Sequence, residues 1–171
     1  MNKLLLVALA VVCFAGCNSK EEGTSTTNVT MPMKPAYSSS FTMGNQEYAA
    51  KIVQGSWKDW DDNKMDSMKN WMADTVVAFQ SDNKMIKGLD SLTAYWKKGR
   101  AMYTSIHDTL DAAMAVHSTD KNEDWALVWV TSMSTDTSGK KDTSYYQETW
   151  RFNKDGKADL LYQYDRANRK H

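Results

Sequence analysis

The chain has 171 residues, 21 Lys plus Arg against 21 Asp plus Glu, and 42% hydrophobic residues. Charges of both signs are interspersed without a basic stripe, which argues against recognition of nucleic acid or anionic headgroups by phosphate neutralisation. The 2 cysteines, Cys13 and Cys17, lie within or at the end of the first apolar run, so the rest of the chain has no disulfide framework and no cysteine-based metal centre.

Met1-Asn2-Lys3 precedes an apolar run from Leu4 to Ala15 that closes on Gly16-Cys17. A basic residue, a short apolar stretch and small residues at its end have the layout of a secretory signal peptide, and the run is too short for a stable membrane span. Phe14-Ala15-Gly16-Cys17 resembles a lipobox, the bacterial motif whose cysteine is acylated and becomes the first residue after cleavage; Phe14 stands where Leu is usual. The resemblance implies a signal peptide over residues 1–16, lipidation at Cys17, and an exported protein anchored to the bacterial cell envelope. The expected location is the outer membrane, facing the periplasm or the cell surface. The membrane partner is held by acyl chains, each buried methylene contributing ~0.8 kcal/mol. Residues 17–41 are rich in Ser, Thr, Asn and Lys, contain both prolines, Pro32 and Pro35, and show neither helical nor strand periodicity. They read as a disordered tether, and Lys20-Glu21-Glu22 resembles a surface-sorting signal.

Residues 42–171 are enough for one domain with a real core. Tyr48, Ala49, Ile52, Val53, Trp57 and Trp60 recur at spacings of three and four, predicting a helix from Asn45 to Asp61. Asp62-Asn63 offers a cap for a second, shorter helix through Met65, Met68, Trp71 and Met72. Thr75 to Gln80 and Lys84 to Lys87 read as a hairpin, and Gly88 opens a third helix with Leu89, Leu92, Tyr95 and Trp96 on one face. Four strands follow: Ser105 to Ser118, Asp124 to Asp136, Asp142 to Asn153 and Lys157 to Arg166. Short polar turns between them indicate an antiparallel meander. Helices at the front and strands at the back give an α+β domain.

This element order resembles the NTF2-like superfamily, and more narrowly its SnoaL-like branch. The local carriers are Trp71-Met72-Ala73-Asp74-Thr75-Val76-Val77, Ile86-Lys87-Gly88-Leu89-Asp90-Ser91-Leu92 and Trp150-Arg151-Phe152-Asn153-Lys154-Asp155-Gly156-Lys157. The resemblance implies a cone: a curved antiparallel sheet with three N-terminal helices on its concave face, enclosing an apolar pocket. The superfamily hosts isomerases, hydrolases, cyclases, carriers and dimerisation modules, so fold alone assigns none of these.

Alternation puts Tyr146, Glu148, Trp150 and Phe152 on one face of their strand. A two-residue Asp155-Gly156 turn sets Leu161, Gln163 and Asp165 beside them. Glu148 and Asp165 are therefore the catalytic candidates, since carboxyls in apolar surroundings have raised pKa values and can act as acid or base; pairing with Lys or Arg at the sheet rim is the competing role. Trp57, Trp60, Tyr146, Trp150 and Gln163 are the candidate ligand contacts. His107 and Asp111 share a strand face but stand about 13 Å apart, too far for a dyad, and His117 lies near a turn. With 3 histidines and no ligand spacing, no metal is expected, and no cofactor motif is present. The steroid isomerase branch uses a tyrosine on the first helix and an aspartate on the first strand; here Val53 to Trp57 holds no tyrosine, and Ala78, Phe79 and Gln80 stand where the base belongs. Arg151 and Asp165, sought as the epoxide hydrolase triad, alternate to opposite faces. Met65, Met68 and Met72 form a stripe that reads as core. The expectation is an envelope lipoprotein whose domain binds a small apolar or amphipathic ligand, or a protein partner, without catalysis. An isomerase or hydrolase using a pocket carboxylate, and a structural module that homodimerises through the outer sheet face, are the alternatives.

Overall fold

The long strands dictate the architecture: β4 (Tyr103–Ser118), β5 (Glu123–Asp136), β6 (Lys141–Phe152) and β7 (Ala158–Ala167) pair antiparallel in sequence order. A computed structural model of the chain describes residues 31–167, of which the unit beginning at Pro35 is the domain. The expected signal peptide, Cys17 and most of the expected tether lie outside the described residues. Three further strands complete the sheet, one on one side and two on the other. β1 (Phe41–Met43) adds to β4, while β2 (Met72–Phe79) adds to β7 and carries β3 (Met85–Lys87) on its outer edge, giving the order β1-β4-β5-β6-β7-β2-β3. The sheet is curved, open and mixed. The expectation of a wholly antiparallel sheet fails at one pairing, because β2 runs parallel to β7, Ala78 beside Leu161. The helical crossover between β2 and the meander lets the strand return on the far edge in that sense.

Three helical segments cover the concave face, close to the sequence expectation. The first runs through α1 (Glu47–Ile52), a π-helical stretch (Val53–Lys58) and α2 (Asp59–Asp61) without a break. The second is a 3-10 helix, Met65–Asn70, and not an α-helix; β2 begins at Met72, three residues before the predicted Thr75. The third, α3 (Leu89–Arg100), starts after Gly88, whose φ of +87° is the left-handed entry that glycine adopts without strain. Met65, Met68 and Met72 are fully buried core residues. Trp150 is the centre of that core, with the Trp71 and Trp96 rings edge-on at 5.3 and 6.2 Å.

The π stretch packs closely on Trp71. A Cβ on Gly55 would lie 2.5 Å from Cε2 of Trp71 and nearer still to its Nε1, so only glycine lets the helix pack on that ring. A π turn holds one residue more than an α turn, and it presents consecutive residues, Ser56 and Trp57, to the interior.

The last hairpin keeps the predicted register by a different route. Asn153 and Lys157 bracket a three-residue turn with Gly156 at φ +68°, which alone would shift the pairing by one. A bulge between Arg151 and Phe152 restores it, so Glu148 still faces Gln163 and Tyr146 faces Asp165. The end of the expected tether is also ordered. Tyr37 meets Trp125 edge-on at 6.0 Å and donates to Glu123 at 2.5 Å, and Ser38 and Ser39 bond to Asp120. This segment packs against the β4–β5 turn and the start of β5 as it leads into β1.

Candidate functional site

Depth along the strands divides the concave face into two zones. Ala78, Leu161, Trp150 and Ala126 lie deep under the helices and are sealed. Further along the same face, Tyr146, Ser144, Ser132 and Ser134 open into a cavity of about 1070 Å³. Glu148 and Gln163 pair across β6 and β7 at the boundary, and Gln80, one residue beyond Phe79, extends this polar row on the β2 side. All three line the cavity floor. Trp57 and Trp60 from the first helix, Tyr95 and Trp96 from α3, and Tyr103 and Tyr146 from the sheet form its aromatic walls. The mouth carries Lys84, Lys98 and Lys140 against Asp82, Asp136 and Asp142, so neither sign dominates the entrance.

Glu148 is 1% exposed. Its Oε2 accepts from Trp150 Nε1 at 2.8 Å, Trp57 Nε1 at 3.1 Å and Ser56 Oγ at 3.4 Å, and its Oε1 accepts from Gln163 Nε2 at 2.9 Å. Among the described residues no lysine, arginine or histidine pairs with it. Burial raises its pKa above the ordinary carboxylate range, against the four donors that hold it down. Indole N–H groups only donate, so a proton on Oε2 would have only the Ser56 hydroxyl to receive it, and Oε1, which accepts from Gln163 alone, is the less crowded place for it.

The sequence candidates separate on this geometry. Trp57, Trp60, Tyr146, Gln163 and Glu148 come together in the cavity lining. Trp150 does not: it is 0% exposed and lies under the floor, touching the cavity only through its bond to Glu148. Asp165 shares the concave side with Tyr146 but stands exposed near the end of β7, outside the lining. Burial raises the Tyr146 hydroxyl to about 12, with Asp165 adding to the effect. Arg151 faces the other way and takes Asp159 at 2.9 and 3.2 Å. His107 is exposed, and His117 meets Asp124 at 2.8 Å on the sheet. Among the described residues no group of His, Cys, Asp or Glu is arranged to hold a metal.

Sequence reasoning missed Asp108. It pairs with Ser132 on β4 and β5, beside the cavity wall, and its backbone N–H reaches Asp61 Oδ2 at 3.3 Å. Neither of its carboxylate oxygens is hydrogen-bonded among the described residues, nor is Oδ1 of Asp61. Burial pushes Asp108 up to about 7, with the nearby Ser132 hydroxyl softening the charge and Asp61 and Glu148 opposing it. Arg100 is close but spends its guanidinium on the carbonyls of Trp60, Asp61 and Tyr103. The usable signal was Ile106 and Leu110 two residues to either side of Asp108, which mark an inward parity that His107 does not share.

No protein-family model matches the sequence, and no curated protein matches it. Solved structures do. A protein from Jannaschia sp. CCS1 assigned as a SnoaL-like polyketide cyclase superposes with a TM-score of 0.57 at 11% identity, covering 70% of this chain and 83% of that one. An LEH-like epoxide hydrolase of Mycobacterium tuberculosis gives 0.56 at 12% identity over 70% and 84%. Another M. tuberculosis protein, solved with estradiol-17β-hemisuccinate, gives 0.55 at 19% identity over 68% and 92%. At these identities the likeness is one of fold, and the fold is NTF2-like, of the SnoaL and ketosteroid-isomerase kind.

Proposed function

We propose that this protein is a lipid-anchored, exported envelope protein whose NTF2-like domain binds a small amphipathic molecule without chemical change. The observation that carries the reading is the cavity itself: about 1070 Å³, walled by indole and phenol rings, and floored by a polar row whose one carboxyl group has no cationic partner among the described residues. The size suits a multi-ring ligand, and a structural neighbour was solved with a steroid ester. The lipobox-like Phe14-Ala15-Gly16-Cys17 supports the anchor and the outer-membrane location. Native mass spectrometry of the full chain, extracted from its own host's membranes, tests both halves. Acyl mass on Cys17 and a retained small molecule are expected; an unmodified cysteine removes the anchor, and an empty domain on chain extracted under mild conditions removes the binding.

A second reading is favoured by Glu148. A buried carboxyl of raised pKa inside a cavity is the equipment of an acid–base enzyme of the isomerase, cyclase or hydrolase kind. Turnover of a retained ligand by the wild type and not by Glu148→Gln would move the assignment to that class.

A further inference from the structure

Two carboxyl groups meet behind the cavity wall without an ion-pair partner among the described residues. Asp61 ends the first helical segment, whose Trp60 lines the cavity, and Asp108 lies on β4 two residues from Ile106, which lines it as well. The Asp108 N–H donates to Asp61 Oδ2 at 3.3 Å, and the two side chains stand close enough for one hydrogen to lie between them. Both oxygens of Asp108 and Oδ1 of Asp61 are buried and have no donor among the described residues. Two ionised carboxylates in this position would repel each other and leave all of those oxygens unsolvated. A single hydrogen between Asp61 Oδ1 and Asp108 gives an oxygen of each group a partner and removes the repulsion.

The groups around the pair offer no substitute for that hydrogen. Arg100 on α3 spends its guanidinium on the carbonyls of Trp60, Asp61 and Tyr103. From β5 comes the neutral Ser132 hydroxyl, and from β6 the carboxyl of Glu148, which opposes a charge on Asp108. On the helical segment itself Asp59 is held by Gln54 and Ser67, and Lys58 by Asp62. His107, next to Asp108 on β4, is exposed and belongs to the opposite face.

We propose that Asp61 and Asp108 share one proton and that this proton is a latch, which fastens α2 to β4 and holds the Trp60 side of the cavity shut until its loss lets that side open. The inference rests on the binding reading of the cavity and adds a control of access to it. Burial, with Asp61 adding to it, pushes Asp108 up to about 7. The latch is therefore closed in acid and is released as the pH rises past neutrality. The Arg100 bonds to the Trp60 and Asp61 carbonyls do not titrate over this range, so α2 stays hinged on α3 while its contact with the sheet is lost.

The test uses the unit from Pro35 to His171, whose core is complete within itself. Amide hydrogen exchange, corrected for the intrinsic effect of pH, reads the latch without a ligand. The amides to follow are that of Asp108, which donates to Asp61, and those of Asp62 and Asn63, which close the end of the helical segment. From about pH 5 to about pH 9 their protection is expected to fall about tenfold in the wild type. Asp108→Asn and Asp61→Asn each put a permanent amide donor where the shared hydrogen lay, and protection in these variants should vary by less than about twofold over the same range. A flat wild-type profile overturns the latch, and so does a pH dependence that survives in both variants. Access is read with N-phenyl-1-naphthylamine, a fluorescent apolar probe that carries no charge over this range. Its dissociation should quicken about fivefold between the two pH values in the wild type and by less than about twofold in Asp108→Asn. Equal dissociation rates in the wild type overturn the control of access. Failure of the probe to bind at either pH refutes the binding reading and the control of access with it, while the exchange profile still decides the latch.

Discussion

Asp108 offers a direct test of the electrostatics around the cavity. Replacing it with Asn keeps the shape and removes a charge that burial, Asp61 and Glu148 all oppose. An Asp whose pKa is raised in the folded state stabilises the fold fully below its unfolded value of 3.8, and that contribution is lost as the pH climbs towards about 7. Each pKa unit corresponds to about 1.4 kcal/mol, so the ceiling is about 4 kcal/mol. Both oxygens are buried, but the residue as a whole is only partly so, and relaxation of its surroundings reduces the expected effect to about 1–2 kcal/mol. Thermal unfolding followed by circular dichroism, at intervals from pH 4 to pH 9, should therefore show equal midpoints for wild type and Asp108→Asn at the acid end. Above pH 7 the variant should unfold about 3–8 °C higher. The groups facing Asp108 from other elements are Asp61 on α2, Ser132 on β5 and Glu148 on β6, with Arg100 occupied by backbone carbonyls. Parallel pH profiles for the two proteins would falsify the claim that this carboxyl is held against its charge.

Gly55→Ala should destabilise the domain by about 3 kcal/mol or more in urea unfolding, because the added Cβ overlaps the buried Trp71 ring; a loss under 1 kcal/mol would mean that the helix can slide off that ring. Glu148→Leu strands the donors of Ser56, Trp57, Trp150 and Gln163 and should cost about 3 kcal/mol or more. Glu148→Gln keeps an acceptor for the two indoles and should cost less than half as much, so similar losses for the two variants would contradict the donor network. Cys17→Ser should move the protein from the membrane to the soluble fraction on fractionation, and membrane retention of this variant would show that another element anchors it.

Most of the fold was legible because its strands are long and their alternation is regular. The hairpins from Ser105 to Arg166 could be placed to within a few residues, since turn residues such as Asn153 and Gly156 mark their ends. Local sequence could not show features set by distant partners. The parallel pairing of β2 with β7 depends on residues some eighty positions apart, and the π stretch depends on Trp71 packing against Gly55. Face parity brought Glu148, Gln163 and Tyr146 together correctly. Parity says nothing of depth along a strand, which is why Trp150 was assigned to the cavity when it lies beneath it, and Asp165 was assigned inward when it stands in solvent. Gln80 was noticed only as the residue where a base is missing; in the structure its buried amide oxygen accepts from Trp96.

The chemistry of Glu148 itself bears on the choice between binding and catalysis. A general base must be ionised at the working pH and must expose a lone pair to the substrate. Burial works against the first requirement, and the two indoles and Ser56 consume the lone pairs of Oε2. Only Oε1 remains, shared with Gln163. A protonated Glu148 suffers neither handicap: its Oε2 keeps both indole bonds and its Oε1 becomes a donor on the cavity side. Glu148 then adds a donor beside Gln163 in the polar row of the floor. On this argument the binding proposal is favoured over the catalytic one. Infrared spectroscopy of the carboxyl C=O stretch, compared between wild type and Glu148→Gln at pH 7, decides it: a protonated-acid band that disappears in the variant supports the donor floor, and a carboxylate band in its place would return Glu148 to the role of base.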